Sequence, residues 1–191
     1  MNSSWPCQLR ILSHLQRVTT ILPVTSKITF QMDESIPKFP TLYEWLGGND
    51  TLEKLTKLFY DKVLQDDLLS PVFKNMSPEH SRHVAHFIGE VFGGPELYTK
   101  GDDGSHAHMV EHHVGKMLDE QKRKRWMQLL LESADEVGLA DDPEFRSAFV
   151  GYLEWGTRIA VINSQPGVAA PAKNPPMPKW DWGPPGGPYE G

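Results

Sequence analysis

Between residues 106 and 113 the chain carries four histidines in eight positions: His106, His108, His112 and His113. Imidazole is the commonest side-chain metal ligand, so a metal or a metal-bearing cofactor is the first chemistry this stretch suggests. Two arrangements are open. His108 and His112 stand four apart, the spacing of a two-histidine zinc site on one helix face. Zinc needs further ligands, however, and the chain has no HExxH pattern and a single cysteine, Cys7, which rules out a thiolate set and an intramolecular disulfide alike. In the other arrangement one histidine among apolar neighbours is the axial ligand of a flat apolar cofactor. His113, flanked by Met109, Val114 and Met117, suits that role best, with His112 its rival by proximity; His106 reads as a loop-structuring residue.

Helices have to position these residues. Thr41-Leu42-Tyr43-Glu44 is a capping box that starts a short helix ended by Gly47-Gly48. Asn49 is expected to cap the next helix, whose apolar stripe is Leu52, Leu55, Phe59, Val63 and Leu64 with Tyr60 on its border. Leu68 to Phe73 form a turn broken by Pro71. Ser77-Pro78-Glu79 is expected to open a further helix with serine as N-cap, carrying Val84, Phe87, Ile88 and Val91 on one face and His80 on that same face. His83 and His86 fall on its outer side as solvated or capping residues. A Gly- and Asp-rich loop leads to Ser105 and the histidine stretch. Asp119 or Glu120 begins a long helix with Trp126, Leu129, Leu130, Ala134 and Val137 inward and the basic run Lys122–Arg125 solvated. Asp142-Pro143-Glu144 starts the last helix, with Phe145, Phe149, Tyr152, Leu153, Trp155, Ile159 and Ile162 inward. No segment shows the alternation of a half-buried strand, so the fold class is all-α.

The 191 residues suffice for one ordinary domain with extensions. The boundaries expected are an N-terminal extension over 1–40, a helical domain over 41–165 and a Pro/Gly-rich tail over 166–191. Residues 1–32 hold Arg10, Arg17 and Lys27 and no Asp or Glu, with apolar residues at roughly helical spacing. That composition suits an organellar transit peptide; the alternative is an extension without function, with Met32 the true start, and a cytoplasmic protein. The tail is too rich in Pro and Gly for helix or paired strand. Its Trp180, Trp182 and Tyr189 either fold back on the domain, dock a partner or have no role. A net charge of -6 argues against a nucleic-acid partner, and no apolar run approaches bilayer length.

A haem requires a proximal imidazole, an aromatic and aliphatic slot, and few polar groups opposite. Phe73, Val84, Phe87 and Ile88 are available for the slot, and Tyr60, His80 and Trp126 as donors to bound dioxygen. At this point the chain resembles the group II truncated haemoglobins, shortened globins with a two-over-two helical sandwich. Residues 41–164 carry the resemblance: Gly47-Gly48, Phe59-Tyr60, Phe73 thirteen after Tyr60, Phe87 opening Phe-Ile-Gly-Glu-Val-Phe-Gly-Gly-Pro, and Trp126 thirteen after His113. His106 matches the histidine of the family's Gly-His-Pro motif. The resemblance implies haem b with His113 as iron ligand and Phe73 as a wedge against the ring. It also implies Val84, Phe87 and Ile88 on the macrocycle, and Tyr60, Trp126 and His80 on the ligand side. His112 and Tyr98 are expected near the propionates. Two departures stand out: His80 is bulkier than the small residue many relatives have, and His112 replaces a frequent arginine or glutamine. By this reading the protein binds dioxygen, nitric oxide and carbon monoxide, as a monomer or homodimer. The resemblance further implies nitric-oxide dioxygenase or peroxidase-like chemistry served by a reductase. The rivals are a non-enzymatic sensor or store with a partner-binding tail, and a histidine-rich zinc protein.

Overall fold

A computed structural model describes residues 39–184 and 186–189; the two readings of residues 1–32 lie outside them. The described chain is helical and contains no strand. In order come α1 (Leu42–Trp45), α2 (Gly48–Val63), α3 (Ser70–Phe73), α4 (His80–Val91), α5 (His106–Glu111), α6 (Glu120–Glu136) and α7 (Pro143–Asn163), with one π-helical turn over Leu97–Gly101 before α5. α2 packs on α4 and α6, and α6 packs on α7, which makes a two-over-two sandwich. Among the described residues no helix is long and apolar enough to cross a membrane.

Local chemistry explains most boundaries. The Thr41 hydroxyl accepts from the Glu44 amide at 3.1 Å and the Glu44 carboxylate accepts from the Thr41 amide at 2.8 Å, the reciprocal pair the sequence implies. Asn49, by contrast, is not a cap. Gly47, at φ 97°, takes the N-cap position of α2, a left-handed conformation that a side chain would strain. The Asn49 side chain instead donates to Glu53 at 2.6 Å. Ser77 is not a cap either: the Ser77 carbonyl accepts from the His80 amide at 3.1 Å, and α4 begins at His80 after that turn. Aspartate caps open α6 and α7, with Asp119 accepting from Lys122 and Asp142 from Phe145.

The core joins the expected stripes. Phe92 packs edge-on against Phe149 at 6.0 Å and Tyr152 at 5.2 Å, with Phe59, Phe145, Leu52 and Leu130 also fully buried. Some burial assignments need correction, and Leu64, expected on the apolar stripe of α2, is exposed. Arg123 is buried, its guanidinium held by Glu120 and Glu154 at 3.0 Å, although it belongs to the basic run expected in solvent. Trp155 and Ile162 of α7 are exposed, since the buried residues of this helix all lie in its first half, from Phe145 to Leu153.

The segment after α7 has no helix or strand but lies on the domain. The Trp180 amide donates to the Val91 carbonyl at 2.9 Å, and Trp182 is buried with its indole N–H donating to the Pro40 carbonyl at 2.7 Å. Of the possible roles for the tail aromatics, folding back is the one adopted by Trp180 and Trp182. Tyr189 stays exposed while its amide donates to Asp142 at 3.0 Å.

Candidate functional site

The last turn of α2 and the first turn of α4 bring Tyr60 and His80 together. His80 Nε2 lies 3.1 Å from the Tyr60 hydroxyl, and the two rings are edge to face at 4.9 Å. Phe73, from α3, completes the cluster at 5.6 Å from Tyr60 and 6.1 Å from His80. Burial pushes the Tyr60 hydroxyl up, so it remains protonated. Burial first, and then the charges of His112, His83, His113 and Lys116, pushes the His80 imidazole down to about 4. His80 is therefore neutral at physiological pH.

His113 follows α5 in a turn, its amide donating to Val110 at 2.9 Å. The imidazole is half-buried, and its Nδ1 is 2.8 Å from the Met109 carbonyl. A carbonyl only accepts, so Nδ1 carries the proton and Nε2 is left with its lone pair. Burial lowers the His113 pKa, opposed by the Met109 bond, and so favours this neutral form. Met109 packs against the core, but Met117, expected to flank His113, is exposed at φ 51° with its amide bound to Ser164. The backbone reversal after Gly115 turns it outward.

The remaining candidates lie on α4, α6 and the segments around α5. Trp126 on α6 is half-buried, edge-on to Phe59 at 4.9 Å, and Phe59 in turn meets Tyr60 at 4.7 Å. Among the described residues the Trp126 indole N–H has no hydrogen-bond partner. Val84 is half-buried on the His80 face of α4, while Phe87 and Ile88 are buried in the core. Tyr98 meets Phe87 edge-on at 5.2 Å and spends its hydroxyl on the Ser105 carbonyl at 3.3 Å, so the structure gives that hydroxyl a backbone partner at the start of α5. Gly104 is required there, since a Cβ would lie 2.5 Å from the Tyr98 ring. His112 is exposed, tilted on His108 at 4.4 Å. Among the described residues no group of three or more His, Cys, Asp or Glu is placed to hold a metal ion, so the His108–His112 zinc arrangement lacks further ligands.

One polar centre escaped the sequence. His86, expected in solvent, is buried; its Nδ1 lies 2.7 Å from Asp102 and its Nε2 3.3 Å from Glu53. Arg82 binds the other Asp102 oxygen at 2.8 Å. Asp102 sits in a Gly/Asp loop whose composition predicts only a turn, so nothing local announces this partner.

Comparison with known proteins agrees with the fold. The profile described as bacterial-like globin matches residues 41–154. The chain is 29% identical over 127 residues to the group 2 truncated hemoglobin YjbI of Bacillus subtilis, covering 66% of this chain and 92% of that protein. It is 34% identical over 105 residues to a group 1 truncated hemoglobin of Tetrahymena thermophila, covering 54% and 82%. The truncated oxygen-avid haemoglobin from Bacillus subtilis superposes with a TM-score of 0.56 at 29% identity, over 64% of this chain and 99% of that one. The group II truncated hemoglobin from Bacillus anthracis shares the fold with a TM-score of 0.59 at 23% identity, over 68% and 98%.

Proposed function

The chain belongs to the bacterial-like globin family, and we propose on that footing that it holds haem b against His113 and binds dioxygen and related diatomic gases beside Tyr60, His80 and Trp126. The observation that carries the reading is a half-buried imidazole with one uncommitted nitrogen, Nε2 of His113, in a chain that also holds a neutral Tyr60–His80 pair. Haem b, when bound, would supply an iron that the His113 imidazole could hold and that could bind a diatomic gas.

The residues fit that group. Nδ1–H donation to the Met109 carbonyl fixes the tautomer of His113, orients its ring and raises the basicity of Nε2, as is usual for metal-binding histidines. Phe73, Val84 and Met109 are apolar and only partly buried, which suits the face of a flat apolar ring. The Tyr60–His80 pair shares one hydrogen bond and two proton arrangements. With His80 Nε2–H donating to the Tyr60 oxygen, the Tyr60 O–H is free to donate to a polar ligand. With the reverse order that proton is spent on His80. The Trp126 indole N–H is a second donor. Each such bond to a partly charged acceptor contributes about 1.5–3 kcal/mol, which slows ligand escape by about one to two orders of magnitude.

Retention on that scale suits chemistry on the retained gas better than delivery. Nitric-oxide dioxygenation and peroxide reduction are the two activities to assay, each with electrons from a separate reductase. The direct test is the visible spectrum of the purified protein, ferric, reduced and reduced with carbon monoxide, beside His113→Ala. A Soret band that moves with each state and is lost in the variant is the expected result. A chain that stays colourless after haem addition overturns the proposal.

A further inference from the structure

The segment after α7 meets the front of the histidine helix and the loop that follows His113, and these contacts have a consequence for His113. α5 is six residues long and none of them is buried. A helix that short is unstable alone, so outside contacts decide whether it forms and how it lies. Besides the packing of Met109, those contacts come largely from the chain's own C-terminal segment. At the front, Asn174 Oδ1 accepts from the Ala107 amide at 3.0 Å, and the Pro176 carbonyl accepts from His106 Nδ1 at 2.7 Å. Behind, the Ser164 carbonyl and hydroxyl accept from the amides of Met117 at 3.0 Å and Leu118 at 2.9 Å. All three residues of the segment that make these four bonds, Ser164, Asn174 and Pro176, lie beyond the stretch 41–154 that the family profile matches.

The segment is itself firmly anchored. Trp182 is 4% exposed and bonded to Pro40, and it meets Trp45 edge-on at 5.6 Å. Trp180 packs between Tyr152 at 5.8 Å and Trp155 at 6.0 Å. Prolines at 171, 175, 176 and 178 limit the backbone freedom of the stretch and so lower the entropy lost when it docks.

We infer that residues 164–182 form a strap that positions α5 and, through the Met109 carbonyl, the imidazole of His113. The carbonyl that accepts from His113 Nδ1 belongs to α5, so a tilt of α5 turns the ring. Asn174 is a positioning residue in this device; it acts on His113 only through the helix. The inference rests on the haem reading for its consequence, and on hydrogen bonds alone for the strap itself.

The test uses the full chain with Asn174→Ala and Asn174→Asp. Asn174 is exposed, so neither change threatens the core. Three readouts apply: the rate of haem transfer to excess haem-scavenging apoprotein, the iron–imidazole stretching band of the ferrous protein by resonance Raman, and hydrogen exchange of the Ala107 amide. Loss of one backbone-bound acceptor is expected to speed transfer and exchange about threefold to tenfold in N174A and to shift the band. N174D keeps an acceptor oxygen and is expected to restore all three. Transfer and band unchanged in N174A, or N174D behaving as N174A, overturns the strap. If the wild-type chain takes up no haem, the haem reading falls and Ala107 exchange alone decides: faster exchange in N174A upholds the strap as the holder of α5, and unchanged exchange overturns it.

Discussion

Replacing Tyr60 by phenylalanine removes one oxygen atom and tests the ligand side of the site almost in isolation. The ring is 4% exposed and sits against Phe59 and Phe73, contacts that phenylalanine retains, so packing changes little. What is lost is the hydroxyl, whose partner in the structure is His80 Nε2 at 3.1 Å. His80 is only partly buried, so water reaches the orphaned nitrogen and the stability cost stays near 1 kcal/mol. The ligand pays more heavily. A hydroxyl donating to a partly charged oxygen contributes about 1.5–3 kcal/mol, so dioxygen is expected to leave the variant about ten to one hundred times faster. Carbon monoxide is much less polar and should gain far less. Stopped-flow displacement of each gas by the other measures both rates. Equal acceleration of both gases would mean a steric change, and no acceleration of either would mean that Tyr60 donates nothing; each result refutes the reasoning.

Three other consequences concern stability. Because His80 is depressed from 6.5 to about 4 in the fold, the unfolded chain takes up its proton first as pH falls. Stability from this group is full above about pH 6.5 and drains away towards about pH 4, by about 1–2 kcal/mol after discounting for its partial exposure. Denaturant midpoints across that window should therefore fall more steeply in wild type than in His80→Gln, and parallel curves would contradict the assignment. Arg123 is 3% exposed, but its partners Glu120 and Glu154 are 54% and 40% exposed and remain solvated without it. Arg123→Ala is expected to cost only about 1–2 kcal/mol in urea unfolding, most of it packing that Arg123→Met recovers. Trp182→Phe keeps a ring in the socket but strands the Pro40 carbonyl, for about 1–2 kcal/mol, whereas Trp182→Ala empties the socket and is expected to cost about 3–5 kcal/mol by thermal unfolding.

Whatever depended on neighbours within one or two helical turns was legible in the sequence. The capping box at Thr41 and the aspartate caps at Asp119 and Asp142 involve atoms three residues apart, so their geometry is set once the helix starts. The apolar stripes marked Leu52, Phe59, Leu130 and Phe149 as core for the same reason, and the spacing of Tyr60, Phe73, His113 and Trp126 pointed to the globin resemblance. Tertiary structure decided everything that depended on a partner distant in the chain. His86 and Arg123 are ordinary polar residues by local pattern; Asp102 and Glu154, sixteen and thirty-one residues away, permit their burial. Trp155 and Ile162 continue an apolar stripe, yet no helix covers them. The Pro/Gly-rich tail predicts no regular structure, and correctly, but its composition is silent on where an extended chain lies. That is set by single hydrogen bonds to Val91, Pro40 and Ala107, and by indole rings that need sockets built from α1 and α7. Local pattern determines which segments become helices, because helix energetics are short-ranged; which charges are buried, which faces stay bare and what holds the histidine helix are settled only when distant segments meet.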